Sequence, residues 1–347
     1  MPAAASRPAV LSPACSRAAA PVLPPVARRA AAASAFAGLV GLALTSWTPG
    51  AQAQAPAATA PGPAPAAATA PAPPLVPVLD KLRKGEPLVI AHRESSVPFS
   101  FLHEGKPVGY AIDLCLKVAD ALRKQLNLPQ MPVRFLQVSP ANRIDAIANG
   151  QADLECGSTT NNAERRKRVA FTVPHYITGA RFAVRADSNI TDLAGFEGRK
   201  LASTKGTTPL RAITQANQER LLRIQIVESP DHGKGLEMVA KGEADGFAMD
   251  DVLLYGLISG QEDPSKFKVV GKLVTIEPLA IMLPKGDPAF KRVVDDEMKR
   301  LIRSNEAQAI YQRWFMRPIP PNNRALNLPM NYLLRDFWKF PTDVVPF

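Results

Sequence analysis

The chain is poor in the residues that metal, redox and nucleophilic chemistry require. Histidine occurs four times and cysteine three times in 347 residues, with no CxxC and no HxxxH. No metal-ligand spacing is therefore present, and no cofactor is expected. A GxSxG elbow and a paired-carboxylate motif are also missing, so nothing in the order of residues asks for catalysis. Aromatic residues are 6% of the chain, and the lysines and arginines do not cluster with them, which argues against a nucleic-acid surface. The apolar stretch at 35–47 is too short to span a bilayer. From Gln54 to Pro74 there is no charge and no large apolar side chain. Such a segment cannot bury enough surface to offset its ordering entropy, so residues 54–74 are expected to form a disordered linker.

What is present begins with a leader. Residues 1–53 carry four arginines, Arg7, Arg17, Arg28 and Arg29, and no acid. The apolar stretch follows them, and Ala51-Gln52-Ala53 supplies a small-x-small cleavage site. This is the order of a signal peptide, read as one for general secretion because alanines follow Arg28-Arg29. Taking those four arginines from 42 basic residues leaves 38 against 31 acidic, a formal charge of +7 where the whole chain has +11. A basic balance suits an acidic ligand or an anionic membrane surface. Cys15 leaves with the leader. One disulfide between Cys115 and Cys156 is possible in an exported protein, but Cys115 falls at a buried helical position, and two free, buried thiols are expected.

Beyond residue 75, apolar runs and helical periodicities alternate. Residues 88–92 read as a buried strand. Residues 111–126, with Ile112, Cys115, Leu116, Ala119 and Leu122 near 3.6-residue spacing, read as an amphipathic helix. Strands at 133–138, 153–155, 200–203, 224–227 and 245–249 alternate with helices at 141–148, after Gly206, at 235–241, and after Asp250-Asp251, which is expected to cap the last of them. Residues 171–184 and 274–282 read as extended, and 288–303 as a helix. This alternation predicts an α/β fold of parallel sheets flanked by helices, with ligand at the carboxyl ends of the strands. Arg93, Ser158, Thr208 and Asp250 each come just after a predicted strand, so four separate segments deliver polar groups to equivalent positions.

The segment 155–165, Glu-Cys-Gly-Ser-Thr-Thr-Asn-Asn-Ala-Glu-Arg, begins where a strand stops. Asn161 or Asn162 is a candidate helix N-cap, because a short side-chain oxygen accepts from the free N–H groups of the next turn. The hydroxyls of Ser158 and Thr160, a helix N-terminus and the Arg165 guanidinium together suit a carboxylate. Taken alone, the same residues describe a surface turn before a capped helix. Taken alone, Arg93 reads as an exposed strand-end arginine, His232 as a partner of Asp231, and Asp250 as an N-cap.

Taken jointly, several runs resemble the extracytoplasmic solute-binding proteins that feed polar amino acids to ABC importers. They are His92-Arg93-Glu94-Ser95-Ser96-Val97-Pro98-Phe99-Ser100, the 155–165 segment, Gly206-Thr207-Thr208, Asp231-His232-Gly233, Met249-Asp250-Asp251 and Ile319-Pro320-Pro321. The two longer runs are similar to the acidic-amino-acid members, and the resemblance extends from about residue 79 to the C-terminal tail. It implies a type II-like periplasmic-binding-protein fold of two α/β lobes, each a sheet flanked by helices, joined by two hinge crossings. Residues 75–180 with 280–347 would form one lobe and 181–279 the other. It also implies a periplasmic monomer that captures L-glutamate or L-aspartate between the lobes and delivers it to an ABC transporter permease in the inner membrane. Arg165 would hold the α-carboxylate, with Thr160 and Thr208 donating to it. Asp250 and Ser158 would receive the α-ammonium, and Arg93, Arg143 and His232 would meet the side-chain carboxylate. The chemistry fits these roles, because an unpaired charge in a closed cleft is very costly. The chain departs from the family at Pro140, where a hydroxyl side chain is usual, and at Leu279-Ala280, where Tyr-Gly is usual. Two rival functions share the fold. One is an enzyme resembling cyclohexadienyl dehydratase, with Glu94 and His232 as the acid/base pair. The other is a ligand-presenting partner of a membrane sensor.

Overall fold

The computed structural model describes residues 76–345, and both the expected signal peptide, 1–53, and the expected linker, 54–74, lie outside them. Two five-stranded sheets organise these residues and repeat one plan. In the first sheet, Val133–Gln137, Leu88–His92 and Leu154–Glu155 lie side by side and parallel. Met282–Pro284 follows, antiparallel to Leu154–Glu155 and to the edge strand Val169–Phe171. In the second, Gln225–Ser229, Lys200–Thr204 and Gly246–Asp250 are parallel. Ala180–Arg185 follows, antiparallel to Gly246–Asp250 and to the edge strand Phe267–Val270.

Parallel neighbours need crossover connections, and helices supply them. They are Tyr110–Gln125 and Arg143–Ala148 in the first sheet, and Thr208–Arg220 and His232–Ala240 in the second. Helices on the faces bury the central strands from both sides, which is why Leu88–His92 is almost entirely apolar. The two-lobe α/β fold expected from the sequence is therefore present. The chain passes between the sheets twice, and the passages pair as antiparallel strands, Tyr176–Thr178 with Glu277–Leu279. Each passage leads directly into the strand that runs against its sheet, Ala180–Arg185 or Met282–Pro284. Tyr176 anchors the first passage, its ring stacking on Phe315 at 5.0 Å and on Tyr311 at 6.0 Å.

Helix starts carry their own signals. Asn162, Thr207, Asp231 and Asp287 each accept the N–H three residues on. Asp250 departs from the expected cap. It stands at the N-cap position of the Asp251–Ser259 helix but makes no capping bond, because its buried carboxylate turns to the interior. The sequence reading missed the small sheet of Ser95–Ser96, Ser100–His103 and Lys106–Val108, whose strands are too short to show a period. It missed the Tyr332–Phe337 helix for the same reason.

The expectation of two free thiols is wrong. Cys115 does lie on the buried face of the Tyr110–Gln125 helix, but that face covers the strand that ends at Glu155. The packing brings its Cα to 6.4 Å from that of Cys156, and the two cysteines form a disulfide. Helical burial and bonding are compatible, because the inward face of a helix is where a partner on the sheet lies. The bond fastens the helix to the residue that opens the Cys156-Gly157-Ser158 turn. A cross-link over a separation of 41 residues should stabilise the fold by roughly 3–4 kcal/mol. Dithiothreitol is expected to lower the denaturant midpoint accordingly, and Cys115→Ala should show the lowered midpoint with or without reductant. A midpoint that reductant leaves unchanged in the parent protein would show that the bond contributes nothing.

Candidate functional site

The carboxyl ends of the parallel strands in both sheets face one cleft, and the polar residues singled out in the sequence converge there. From the first sheet, Arg93 follows the Leu88–His92 strand and is 1% exposed, not the exposed strand-end residue it resembles in isolation. Its backbone N–H donates to Ser100 Oγ at 2.9 Å and one terminal nitrogen donates to His232 Nε2 at 3.3 Å, while Nε and the other terminal nitrogen have no partner. Arg143 opens the Arg143–Ala148 helix, is 2% exposed, and has an unpartnered Nε. Arg165 lies in the helical turn capped by Asn162 and reaches across the cleft. It donates to the Thr160 carbonyl at 2.9 Å and, at 3.3 Å, to the carbonyl of Gly206 in the turn after the Lys200–Thr204 strand.

Among the described residues none of these arginines is ion-paired; carboxylates act on them from further away. Burial pushes Arg93 and Arg165 down to about 9, with Arg143 adding to the shift in both. Glu155 opposes it for all three guanidinium groups, including that of Arg143, which burial also lowers. At neutral pH all three remain cations. Glu155 is fully buried below them. One oxygen accepts from Thr159 Oγ1 at 2.7 Å and the other has no partner. A Cβ at Gly157 would come within 2.4 Å of the free Glu155 oxygen and 2.9 Å of Arg93 Cγ, so a larger residue there would have to displace both buried side chains.

The remaining groups complete the cleft. Asp250, from the second sheet, is 3% exposed, and its Oδ1 has no partner. Burial, then the nearby Glu277 and Asp251 carboxylates, raise its pKa well above the usual range, against the pull of Arg143 and Arg165. Ser158 Oγ donates to Ser96 Oγ at 3.4 Å, and the Thr160 and Thr208 hydroxyls meet at 3.2 Å across the cleft. Guanidinium groups only donate, so His232 Nε2 must be the acceptor for Arg93. Nδ1 then carries the proton and donates to Thr204 Oγ1 at 3.0 Å. His232 is thus neutral and already engaged rather than a further cation. All eight expected residues gather here, and the cavity that six of them help line is small, about 10 Å³.

The halves touch directly around this cavity. Ser95 Oγ donates to Asp231 at 2.6 Å and accepts from Gly233 N–H at 3.1 Å. Gly206, at φ +78, approaches so closely that a Cβ would lie 2.8 Å from the Pro140 carbonyl oxygen and from Ala141 Cα. Glu94, by contrast, is exposed and accepts from Gln137, so the acid/base pair of the enzyme reading is not assembled. A larger hollow of about 910 Å³ lies elsewhere, near Lys81 and Asp287, and there half-buried Lys81 and buried Asp153 are already paired at 2.8 Å. No cluster of metal-ligating side chains occurs among the described residues. Two buried acids of the cleft, Glu155 and Glu277, escaped the sequence reading. Glu155 could have been noticed as an acid ending a buried strand; Glu277 sits in a stretch with no distinguishing pattern.

Two α/β lobes presenting converged charges to a cleft define a ligand-binding protein of the two-lobe type. The family model for bacterial extracellular solute-binding proteins, family 3, matches residues 88–317, and the chain belongs to that family. It is 40% identical to the L-glutamate/L-aspartate-binding protein of Pseudomonas aeruginosa over 271 residues, 78% of this chain and 90% of that protein. It is 36% identical to the glutamate/aspartate import solute-binding protein of Escherichia coli (strain K12) over 266 residues, 76% of this chain and 88% of that one. The structure of a solute receptor for L-cysteine from Neisseria gonorrhoeae is similar with a TM-score of 0.62 at 21% identity, over 69% of this chain and 93% of that one, a likeness of fold alone. The family consists of binding proteins, not enzymes.

Burial, reinforced by the Arg93 and Arg143 charges, holds His232 well below its ordinary value of 6.5. The folded protein keeps it neutral where the unfolded chain would protonate it. The contribution to stability is therefore complete above pH 6.5 and is lost as the pH falls below that value. His232→Gln should remove about one proton of this dependence, roughly 1.4 kcal/mol per pH unit. Unfolding free energies between pH 7 and 5 measure it; parallel slopes for parent and variant would refute the assignment.

Proposed function

We propose that the cleft captures L-glutamate or L-aspartate and that the protein hands the ligand to the permease of an ABC importer in the inner membrane. The observation that carries this reading is the set of unpartnered polar atoms in one closed cleft: two nitrogens of Arg93, Nε of Arg143 and Oδ1 of Asp250. Guanidinium donors and a carboxyl group left without partners in a buried space call for a ligand that brings carboxylates to the first and an ammonium to the second, whose charge favours ionised Asp250. Three arginines in one cleft favour a ligand with two carboxylates over one with a single carboxylate. In this reading Arg165, with Thr160 and Thr208, receives the α-carboxylate; Asp250 and Ser158 receive the α-ammonium; Arg93 and Arg143 receive the side-chain carboxylate, with His232 orienting Arg93. The names of the Pseudomonas and Escherichia coli relatives agree with this choice of ligand.

The same reading makes residues 75–180 with 280–347 one rigid lobe and 181–279 the other, closing about the paired crossings. A ligand bonded to both lobes favours the closed arrangement by differential contact. The protein acts as a periplasmic monomer after removal of residues 1–53, and a disulfide in the fold agrees with an oxidising compartment. Small-angle scattering should give a smaller radius of gyration at saturating L-glutamate than without ligand; superimposable curves would count against closure.

Isothermal titration of the mature protein with a panel of amino acids is the direct test. L-glutamate and L-aspartate should bind one to one, and L-glutamine much more weakly, because a neutral amide forfeits charge-assisted hydrogen bonds of roughly 1.5–3 kcal/mol. Arg165→Ala and Arg93→Ala should each weaken L-glutamate by about 3–5 kcal/mol, since each leaves a carboxylate underpaired. Only Arg93→Ala should bring the ratio of glutamate to glutamine affinity toward one. Collapse of that ratio in Arg165→Ala and not in Arg93→Ala would reverse the two assignments.

A further inference from the structure

Glu277 lies on the returning passage between the sheets, is 2% exposed, and forms no ion pair among the described residues, although its charge acts on Arg143 and Arg165. Its Oε2 accepts from Thr208 Oγ1 at 2.8 Å. A threonine hydroxyl has one proton, so Thr208 cannot also donate it to Thr160; the 3.2 Å contact between the two hydroxyls is therefore a donation from Thr160. The three residues form a directed chain across the cleft, Thr160 to Thr208 to Glu277. It starts in the 155–165 segment and ends on the crossing strand.

This chain decides what Thr208 has left to offer. Thr208 is the first residue of the Thr208–Arg220 helix. Pro209 has no N–H, Leu210 N–H donates to Thr207 Oγ1 at 3.3 Å, and Arg211 N–H donates to the Thr207 carbonyl at 3.4 Å. The donor of that turn not taken by the helix or its cap is the backbone N–H of Thr208. Thr208 lines the same small cavity as Arg143, Thr160 and Asp250.

We propose that Glu277 is a positioning residue for the ligand: by taking the Thr208 hydroxyl proton it fastens the first turn of the Thr208–Arg220 helix to the crossing strand, so that Thr208 meets the ligand α-carboxylate through its backbone N–H and not its hydroxyl. The resemblance implied only that Thr208 donates to the α-carboxylate; the donor is now its N–H, and a buried acid outside the expected ligand set becomes a determinant of affinity. The proposal rests on the amino-acid-binding reading above, but only on the α-carboxylate that every amino acid shares.

A double-mutant cycle tests it. Thr208→Val removes the hydroxyl and keeps the shape and the N–H; Glu277→Gln removes the charged acceptor. Each should weaken L-glutamate binding about tenfold, and the double variant should be no weaker than either single one, because both changes break the same contact. Thr208→Ser, which keeps the hydroxyl, should bind like the parent protein. Losses that multiply to about a hundredfold would mean that the Thr208 hydroxyl serves the ligand directly, and would overturn the proposal. Unchanged affinity in the single variants would overturn it as well. If Glu277→Gln does not fold, Glu277→Asp withdraws the acceptor by one methylene and must show the same non-additivity with Thr208→Val. A parent protein that binds another amino acid but not L-glutamate would refute the acidic-ligand reading alone, and the cycle would then be run with that amino acid.

Discussion

Three buried arginines in one cleft are the constraint on which the rest of the structure depends. Each guanidinium loses solvent, and Arg143 adds repulsion to both Arg93 and Arg165. Bringing like charges together in a low-dielectric space is unfavourable unless opposite charge and hydrogen-bond acceptors surround them. The fold supplies both, but sparingly. Backbone carbonyls of Thr160 and Gly206 and the imidazole of His232 accept from them, and Glu155 balances all three at a distance. None of these contacts is an ion pair, so the arginines keep unspent donors. That incomplete compensation is what suits the cleft to the anionic groups of the proposed ligand.

The second requirement is that groups from two sheets arrive together. Parallel strands release their carboxyl ends in one direction, and two such sheets facing each other bring eight side chains from separate segments to one place. The paired crossings, Tyr176–Thr178 with Glu277–Leu279, are the part of the chain that both sheets share. Glu277 and the aromatic stack on Tyr176 place polar and apolar contacts at this junction. The Cys115–Cys156 disulfide fixes the start of the Gly157-Ser158 turn from behind, so the loop that carries Ser158 and Thr160 is held by a covalent bond as well as by packing.

Much of the candidate site was legible because its residues advertise themselves locally. Polar residues directly after apolar runs mark strand ends, and Asn162, Thr207 and Asp231 mark helix starts three residues ahead of the N–H they accept. Arg93, Ser158, Thr208 and Asp250 could be named on that basis. Glu277 could not, because a glutamate in an irregular extended stretch carries no sign that Thr208, 69 residues away, will donate to it. The disulfide failed for the same reason. Cys115 shows helical burial in its own neighbourhood, whereas its partner lies 41 residues along the chain. Asp250 illustrates a subtler limit: its sequence position is that of a cap, and the choice between capping and facing the cleft is made by side-chain orientation alone.

By itself the sequence determined the alternation of strands and helices and the strand ends that bring Arg93, Ser158, Thr208 and Asp250 forward, because strand and helix periods, caps and glycine turns act over a few residues; the two lobes and the place of Arg143 were expected from the family resemblance. Only the tertiary structure decided which charges remain uncompensated, which tautomer His232 adopts, where the Thr208 proton goes and which cysteines join. Those outcomes depend on distances between groups far apart in the chain. A shift of one or two ångströms makes or breaks a hydrogen bond without changing a single residue.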